Sequence, residues 1–166
     1  MSRAVIALGT NMGNRADNIH AAVFALGLLP NTVVSAVSRL YDTLPVGYAD
    51  QPRFLNAAAA VETAMSPRAL LGACLGIEAA MGRVRVVKNG PRVVDLDVIL
   101  YENATISEPE LTVPHPELVN RTFVLAPLCD LYNSGFVSDA DLAGFPSIFD
   151  NLDEKMKQSG IIVYSM

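Results

Sequence analysis

Between Gly82 and Asp97 the chain reads Gly-Arg-Val-Arg-Val-Val-Lys-Asn-Gly-Pro-Arg-Val-Val-Asp-Leu-Asp: cations in a loop, then two carboxylates one residue apart on an apolar strand. Residues i and i+2 of a strand share a face, so Asp95 and Asp97 project together while Val94, Leu96 and Val98 project the other way. Their roots stand roughly 6–7 Å apart by the rise of a strand, close enough for two ionised groups to repel. A bound cation removes that cost. Hard oxygen ligands favour Mg²⁺ or Mn²⁺, and Mg²⁺ is commonly held by one or two carboxylates together with substrate phosphates. The guanidiniums of Arg83, Arg85 and Arg92 suit such phosphates. An exposed Asp-x-Asp on an edge strand beside a solvated basic loop would be spelled the same way. The arginine-rich Gly-Pro loop directly ahead of the acids favours a metal–phosphate site.

Other residues could serve the same site. Phe54 and Asn56 share a strand face, where a ring can stack on a flat heterocycle and a carboxamide can pair with its edge; a core Phe with a satisfied buried Asn is the structural alternative. His115 is pinned between Pro114 and Pro116, able to donate to a phosphate, to carry a proton or simply to make a structural hydrogen bond. Arg121 follows Asn120 at a helix start. Glu78 faces the loop that begins at Arg83 and could hold its arginines by charge pairing, or be solvated. Gly9 and Gly13 follow a strand and could cradle a phosphate at a helix start or form a plain tight turn. The sequence holds no Gly-x-x-x-x-Gly-Lys-Ser/Thr loop, which excludes a standard P-loop.

The elements that must position these groups follow from periodicity and punctuation. Residues 3–8 form an apolar run bounded by Gly9, predicting a buried strand. Asn14 can cap a helix carrying Ile19, Val23 and Leu26 at helical spacing, ended by Pro30-Asn31. Residues 32–41 read as a second strand, 42–53 as a loop with two prolines and a glycine, and 54–63 as a third strand. Ser66 as cap and Pro67 in the first turn start a helix to about Met81. A strand over 93–100, a rigid extended segment over 111–116, a mostly helical stretch over 117–132, a helix over 152–158 and a last strand over 161–164 complete the chain. Strand, helix, strand, strand, helix, strand is the order of a ferredoxin-like α+β sandwich. Two helices would cover one face of a largely antiparallel sheet, and the late helices the other.

Composition narrows the function. The chain has 166 residues, 51% hydrophobic and 17% charged, which fits one domain with a real core, residues 133–166 being an extension packed on it. A net charge of −5 argues against broad nucleic-acid binding. Yet four of the twelve Lys and Arg residues, Arg83, Arg85, Lys88 and Arg92, crowd into one short window. A local anion site within an acidic protein fits a small phosphorylated ligand. Cys74 and Cys129 sit in apolar helical segments and read as two buried reduced thiols. No apolar run approaches a membrane span and no leader precedes the first strand, which predicts a cytoplasmic protein without membrane or nucleic-acid partners, taken to be a monomer.

Several stretches together resemble one family. They are Ala7-Leu8-Gly9-Thr10-Asn11-Met12-Gly13; Tyr41-Asp42-Thr43 with Pro45-Val46-Gly47; Asp50-Gln51-Pro52-Arg53-Phe54-Leu55-Asn56-Ala57 with Glu62-Thr63; Gly90-Pro91-Arg92-Val93-Val94-Asp95-Leu96-Asp97; and Val113-Pro114-His115-Pro116 with Asn120-Arg121-Thr122-Phe123. Over residues 4–130 the chain resembles the 6-hydroxymethyl-7,8-dihydropterin pyrophosphokinases of folate biosynthesis. The resemblance implies transfer of the β,γ-diphosphate of ATP to the pterin hydroxymethyl group, with release of AMP. Asp95 and Asp97 would hold two Mg²⁺ ions, and Arg83 and Arg92 would neutralise the transferred group. Leu71, Val98, Thr112, His115 and Arg121 would contact ATP. Phe54 and Phe123 would sandwich the pterin, Asn56 would read its edge, and Thr43, Leu44 and Val46 would offer main-chain contacts. The loops over 42–53 and 83–92 would close over the substrates. One departure is Asn89, where the family often has Trp. A non-catalytic ferredoxin-like nucleotide-binding regulatory module is the competing interpretation; binding alone needs no acid pair for a metal.

Overall fold

The apolar run that opens the chain lies inside an antiparallel sheet in the computed structural model, which describes residues 1–84 and 88–165. Strand β1 (Ser2–Thr10) is flanked by β5 (Asp95–Tyr101) and β4 (Phe54–Thr63), antiparallel to both. On its far side β4 carries two shorter strands end to end: β2 (Thr32–Val37) against residues 59–63 and β3 (Tyr41–Thr43) against Phe54, Leu55 and Asn56. A short β8 (Ile162–Val163) extends the sheet beyond β3. β6 (Ile106–Ser107) and β7 (Thr112–Val113) form a separate ribbon. With helices α1 (Arg15–Gly27) and α2 (Pro67–Ala80) between strands, this is the ferredoxin-like α+β sandwich expected from the element order.

Strand alternation sorts the two faces. Ile6, Leu8, Ala57, Ala59, Leu96 and Val98 pack against Ile19, Leu26, Leu70 and Cys74 of α1 and α2. Val5, Ala58, Ala60 and Ile99 pack on the opposite face against Val124, Leu125, Leu128 and Leu131 of α3 (Thr122–Asn133), joined by Val137, Leu142 and Ile148 from the tail. The alanines of β4 let α3 approach closely. Helix α4 (Leu152–Gln158) rests on α3. The caps are those the sequence indicates: Asn14 accepts from Asp17 N at 3.1 Å and Ser66 from Ala69 N at 3.2 Å, each worth about 1 kcal/mol.

Three expectations need correction. The single strand over 32–41 is two strands, because Ser38 diverts the backbone: its hydroxyl accepts from Ala58 N at 2.9 Å and donates to Arg39 O at 2.7 Å, while Arg39 N donates to Asp130 Oδ2 at 3.0 Å. The loop therefore starts after Thr43, not at Asp42. The helix expected from 117 starts at Thr122, since residues 117–120 form tight turns and Arg121 is extended (φ −112°, ψ 96°). Finally, only Cys74 is buried, its thiol pushed up to about 12 by burial and by the charges of Glu78 and Asp97; Cys129 is partly exposed, and both are free. Among the described residues no helix is long and apolar enough to cross a membrane.

Candidate active site

Strand register builds the site. Gly9 on β1 stands opposite Asp95 on β5 and Asn56 on β4, and Ala7 opposite Asp97 and Ala58. These residues share the sheet face that α3 covers further along. A Cβ at Gly9 would lie 2.9 Å from Asn56 Oδ1 and 4.0 Å from Asp95 Cβ, so the missing side chain makes room for an amide on one side and an acid on the other. Asn56 is nearly buried, and its Nδ2 donates to Thr43 Oγ1 at 2.6 Å, which fixes the carboxamide orientation. Gly9 is thus a spacer within the sheet.

The acids and arginines form one network. Arg83 Nη1 donates to Asp95 Oδ1, to Glu78 Oε1 at 3.1 Å and to Val94 O at 3.3 Å. Arg92 Nη1 donates to Asp95 Oδ2 at 3.1 Å, while its Nε and Nη2 hold Gly90 O at 3.0 and 2.8 Å. The Arg92 guanidinium also lies 4.8 Å from the centre of the Phe54 ring. Glu78, buried on α2, accepts in addition from Leu96 N at 2.8 Å, so it fixes both Arg83 and the strand that carries the acids. Burial pushes the Asp95 carboxyl up, but Arg83 and Arg92 outweigh it and hold the group below the usual carboxylate range. Among the described residues, Asp97 makes no such ion pair. Burial, then the charges of Asp95 and Glu78, push it up to about 7, against the opposing pull of Arg121 and Arg83.

Asn11 ties the loops together, a role its place in a Gly/Asn-rich turn does not announce. Its Oδ1 accepts from Arg92 N at 2.9 Å, and its Nδ2 donates to Gln51 Oε1 and Pro52 O, both at 3.0 Å. Gln51 Nε2 in turn donates to Asn89 O at 2.8 Å. Asn89 adopts a left-handed backbone (φ 57°) and abuts Gly47 (φ 90°), which joins the loop after Thr43 to the loop before Arg92.

A cavity of about 100 Å³ is lined by Thr43, Leu44, Val46, Phe54, Asn56, Arg92, Asp95, Asp97, Arg121 and Phe123 of the residues singled out in the sequence, together with Gly9 and Asn89. Arg83 sits behind it, reaching it through Asp95. Four residues are not brought to this cavity. Val98 is buried in the core on the α1/α2 face, and Leu71, partly buried, packs against that core. Thr112 lies on β7 with its hydroxyl on Glu108 O at 3.3 Å. His115 is anchored by its N–H to Ile99 O at 3.0 Å and by Nδ1, which accepts from Glu117 N at 3.1 Å. Burial and the Arg121 charge hold its imidazole below the usual range. Arg85 lies outside the described residues. A larger cavity of about 600 Å³ opens at the other end of β1 and β5, but there Arg3 is engaged by Glu102 and Asp141 and no reactive constellation faces it.

The chain matches the family model described as 7,8-dihydro-6-hydroxymethylpterin-pyrophosphokinase (HPPK) over residues 5–133. It belongs to the HPPK family. The chain is 47% identical over 131 residues to the 2-amino-4-hydroxy-6-hydroxymethyldihydropteridine pyrophosphokinase of Methylorubrum extorquens, covering 79% of this chain and 83% of that one. It is 45% identical to the protein of that name from Pseudomonas aeruginosa, covering 79% and 81%. Among solved structures, an HPPK-DHPS in complex with substrates superposes with a TM-score of 0.64 at 15% identity, over 95% of this chain and 44% of that one. Wild-type HPPK-DHPS from Plasmodium falciparum with pteroate superposes with a TM-score of 0.63 at 16% identity, over 96% and 44%. These two likenesses show the HPPK fold, and the chain spans less than half of those longer proteins. The match to the HPPK family stops at residue 133, before α4 and β8.

Proposed function

We infer that this chain is a 2-amino-4-hydroxy-6-hydroxymethyldihydropteridine diphosphokinase. It moves the β,γ-diphosphate of ATP to the hydroxymethyl oxygen of 6-hydroxymethyl-7,8-dihydropterin, giving the pterin diphosphate and AMP in folate biosynthesis. The new bond joins the hydroxymethyl oxygen to the β-phosphorus, the bond from that phosphorus to the bridging oxygen of AMP breaks, and the hydroxyl proton is released. The observation that carries the reading is convergence: two acids, two arginines, two aromatic rings and a carboxamide meet in one cavity formed within a single chain. A purely regulatory nucleotide module would have no use for that acid pair beside an aromatic pair.

Asp95 and Asp97 fit a divalent cation by donor chemistry. They are hard oxygen donors on one face, and Asp97 is pushed up by burial and then by neighbouring carboxylate charge, the second of which a cation would relieve. Among the described residues no group of three or more His, Cys, Asp or Glu could hold a metal by itself, which suits Mg²⁺ completed by phosphates and water. Asp95 and Asp97 would hold Mg²⁺, two ions in our reading, which would supply charge neutralisation along the phosphates. Arg83 and Arg92, which grip both oxygens of Asp95, are the groups that would turn to the transferred diphosphate. Arg121 and His115 would meet the other phosphates, and Leu71, Val98 and Thr112 the nucleoside. Phe54 and Phe123 would stack the pterin, Asn56 would pair with its edge, and Thr43, Leu44 and Val46 would line it. A 100 Å³ cavity is smaller than the roughly 300 Å³ or more of ordinary ligand sites, so Arg92 and the loop after Thr43 must give way as substrates enter. The enzyme would work in the cytoplasm as a monomer.

The test is pterin-dependent AMP formation from ATP and Mg²⁺. Asp95→Ala, Asp97→Ala and Arg92→Ala should each cut turnover by about 10³-fold in protein that is still folded at the assay temperature by its thermal melt. Absence of AMP from the unaltered chain, or near-normal rates in all three variants, would overturn the proposal.

A further inference from the structure

The last described residues, beyond the stretch that the HPPK family model covers, return to the candidate site. On β8, Val163 pairs with Tyr41 and Ile162 with Asp42, and Tyr164 N donates to Leu40 O at 2.8 Å. Just before β8, Gly160 has φ +65°, and a Cβ there would lie 3.3 Å from Leu44 Cδ1. Gly160 O accepts from Arg53 Nη2 at 2.9 Å. The same guanidinium holds Asp42 O at 3.2 Å and, through Nε, the Asp42 carboxylate. Arg15 on α1 completes the knot, donating to Asp42 Oδ2 at 3.0 Å and Arg53 O at 3.3 Å, with its guanidinium 5.7 Å from the Tyr164 ring centre. Ile161 is buried with Tyr41 and Ala126 in a small cluster against which Phe123 packs.

We propose that the segment 160–164 is a positioning element for the heterocycle half of the site. It backs Leu44 on one wall and Phe123 on the other, with Arg53 as the positioning residue that locks it to Asp42. The inference rests on the reading of those walls as the pterin pocket. β3 is three residues long and leads into a loop with two prolines; a strand that short is poorly held by one partner. Pairing with β8 on its second edge orders it before any ligand arrives, so ligand affinity is not spent on ordering. Asp95, Asp97 and Arg121 make none of these contacts, so the phosphate half should not depend on the tail.

Two mild variants of the full chain test this. Arg53→Gln removes the fork that spans Asp42 and Gly160. Gly160→Ala places a methyl against Leu44 at a left-handed backbone. We expect each to raise the Kd of 6-hydroxymethyl-7,8-dihydropterin, measured with a non-hydrolysable ATP analogue present, about tenfold or more, the cost of ordering roughly one residue at binding. The Kd of the analogue alone should stay within about twofold, less than half of a tenfold step in free energy. Unchanged pterin binding in both variants would overturn the proposal. So would pterin and nucleotide affinities that fall together with the melting temperature, since that is general loosening. If the unaltered chain bound the ATP analogue but no pterin, the pterin pocket itself would be misread and the inference would fall with it.

Discussion

Gly9→Ala probes whether sheet register sets the geometry of the heterocycle subsite. The new Cβ would stand 2.9 Å from Asn56 Oδ1, so the carboxamide must recede by a few tenths of an ångström. It is not free to do so, because Asn56 Nδ2 is held 2.6 Å from Thr43 Oγ1 in a nearly buried setting. Weakening that bond costs about 1–3 kcal/mol, while alanine in a strand interior recovers roughly 0.5–1 kcal/mol relative to glycine. The fold should therefore lose only about 1 kcal/mol. Catalysis should lose more, since misplacement on the ångström scale costs about 10²-fold. We expect kcat/KM for the pterin to drop roughly ten- to a hundred-fold, with KM for ATP unchanged. The assay is AMP release with each substrate varied in turn, beside a thermal melt. A double-mutant cycle sharpens it: with Asn56→Ala already present there is no carboxamide to displace, and Gly9→Ala should add less than about 0.5 kcal/mol. Wild-type pterin kinetics in Gly9→Ala, or an equal loss in the Asn56→Ala background, would refute the reasoning.

Two further perturbations separate positioning from stability. Glu78→Gln keeps an acceptor for Leu96 N but removes the charge facing Arg83; since Arg83 retains Asp95, the loss should be at the low end for a broken buried pair, about 2–3 kcal/mol by denaturant titration, with turnover falling while pterin affinity holds. An unchanged turnover would mean that Glu78 does not set the position of Arg83. Burial pushes the Asp42 carboxyl up, but hydrogen bonds and charge from Arg53 and Arg15 prevail and hold it below the usual range. A lowered folded value gives stability that is complete above the unfolded value near 3.9 and lost as pH falls through the folded one. Asp42→Asn should therefore be the less stable protein at neutral pH and show a shallower decline from about pH 5 to pH 3 in thermal melts. Parallel acid limbs would count against the Arg15–Asp42–Arg53 knot as a source of stability.

The parts of the site that depend on local period were legible in the sequence. The shared face of Asp95 and Asp97 and that of Phe54 and Asn56 follow from alternation along one strand, and both pairs do share a face. The caps at Asn14 and Ser66 follow from residue type within one turn. What escaped depends on register between distant strands. That Gly9 stands between Asn56 and Asp95 is set by pairing across β4, β1 and β5, which no window of adjacent residues contains. The three-way role of Asn11 requires loops some forty and eighty residues away to meet. The split of β2 from β3 turns on a single serine hydroxyl that takes a ladder donor for itself. The tail reads in the sequence as a last strand, with no placement in the sheet and no part in the site, because pairing of β8 with β3 leaves no mark on either segment alone.

Charge balance links the acids, the arginines and the reaction. Among the described residues, Glu78, Asp95 and Asp97 face Arg83, Arg92 and Arg121 in and behind one cavity, three of each sign when Asp97 is ionised, in a largely buried region. Low dielectric makes a net charge there expensive. A triphosphate alone would upset the balance, and the arginines could meet it only by abandoning Asp95, leaving two neighbouring carboxylates unshielded. A fully ionised triphosphate that brings two divalent cations carries no net charge. On the proposed function, the arginines would move to the phosphates and Asp95 and Asp97 would hold the cations, which would keep the sum near zero. The same reasoning gives a use to the double anchoring of Arg83, to Asp95 and to Glu78. If Asp95 exchanged its partners, Glu78 would keep Arg83 at the cavity wall, so the positive charge proposed to meet the transferred diphosphate would already be in place rather than recruited from solvent.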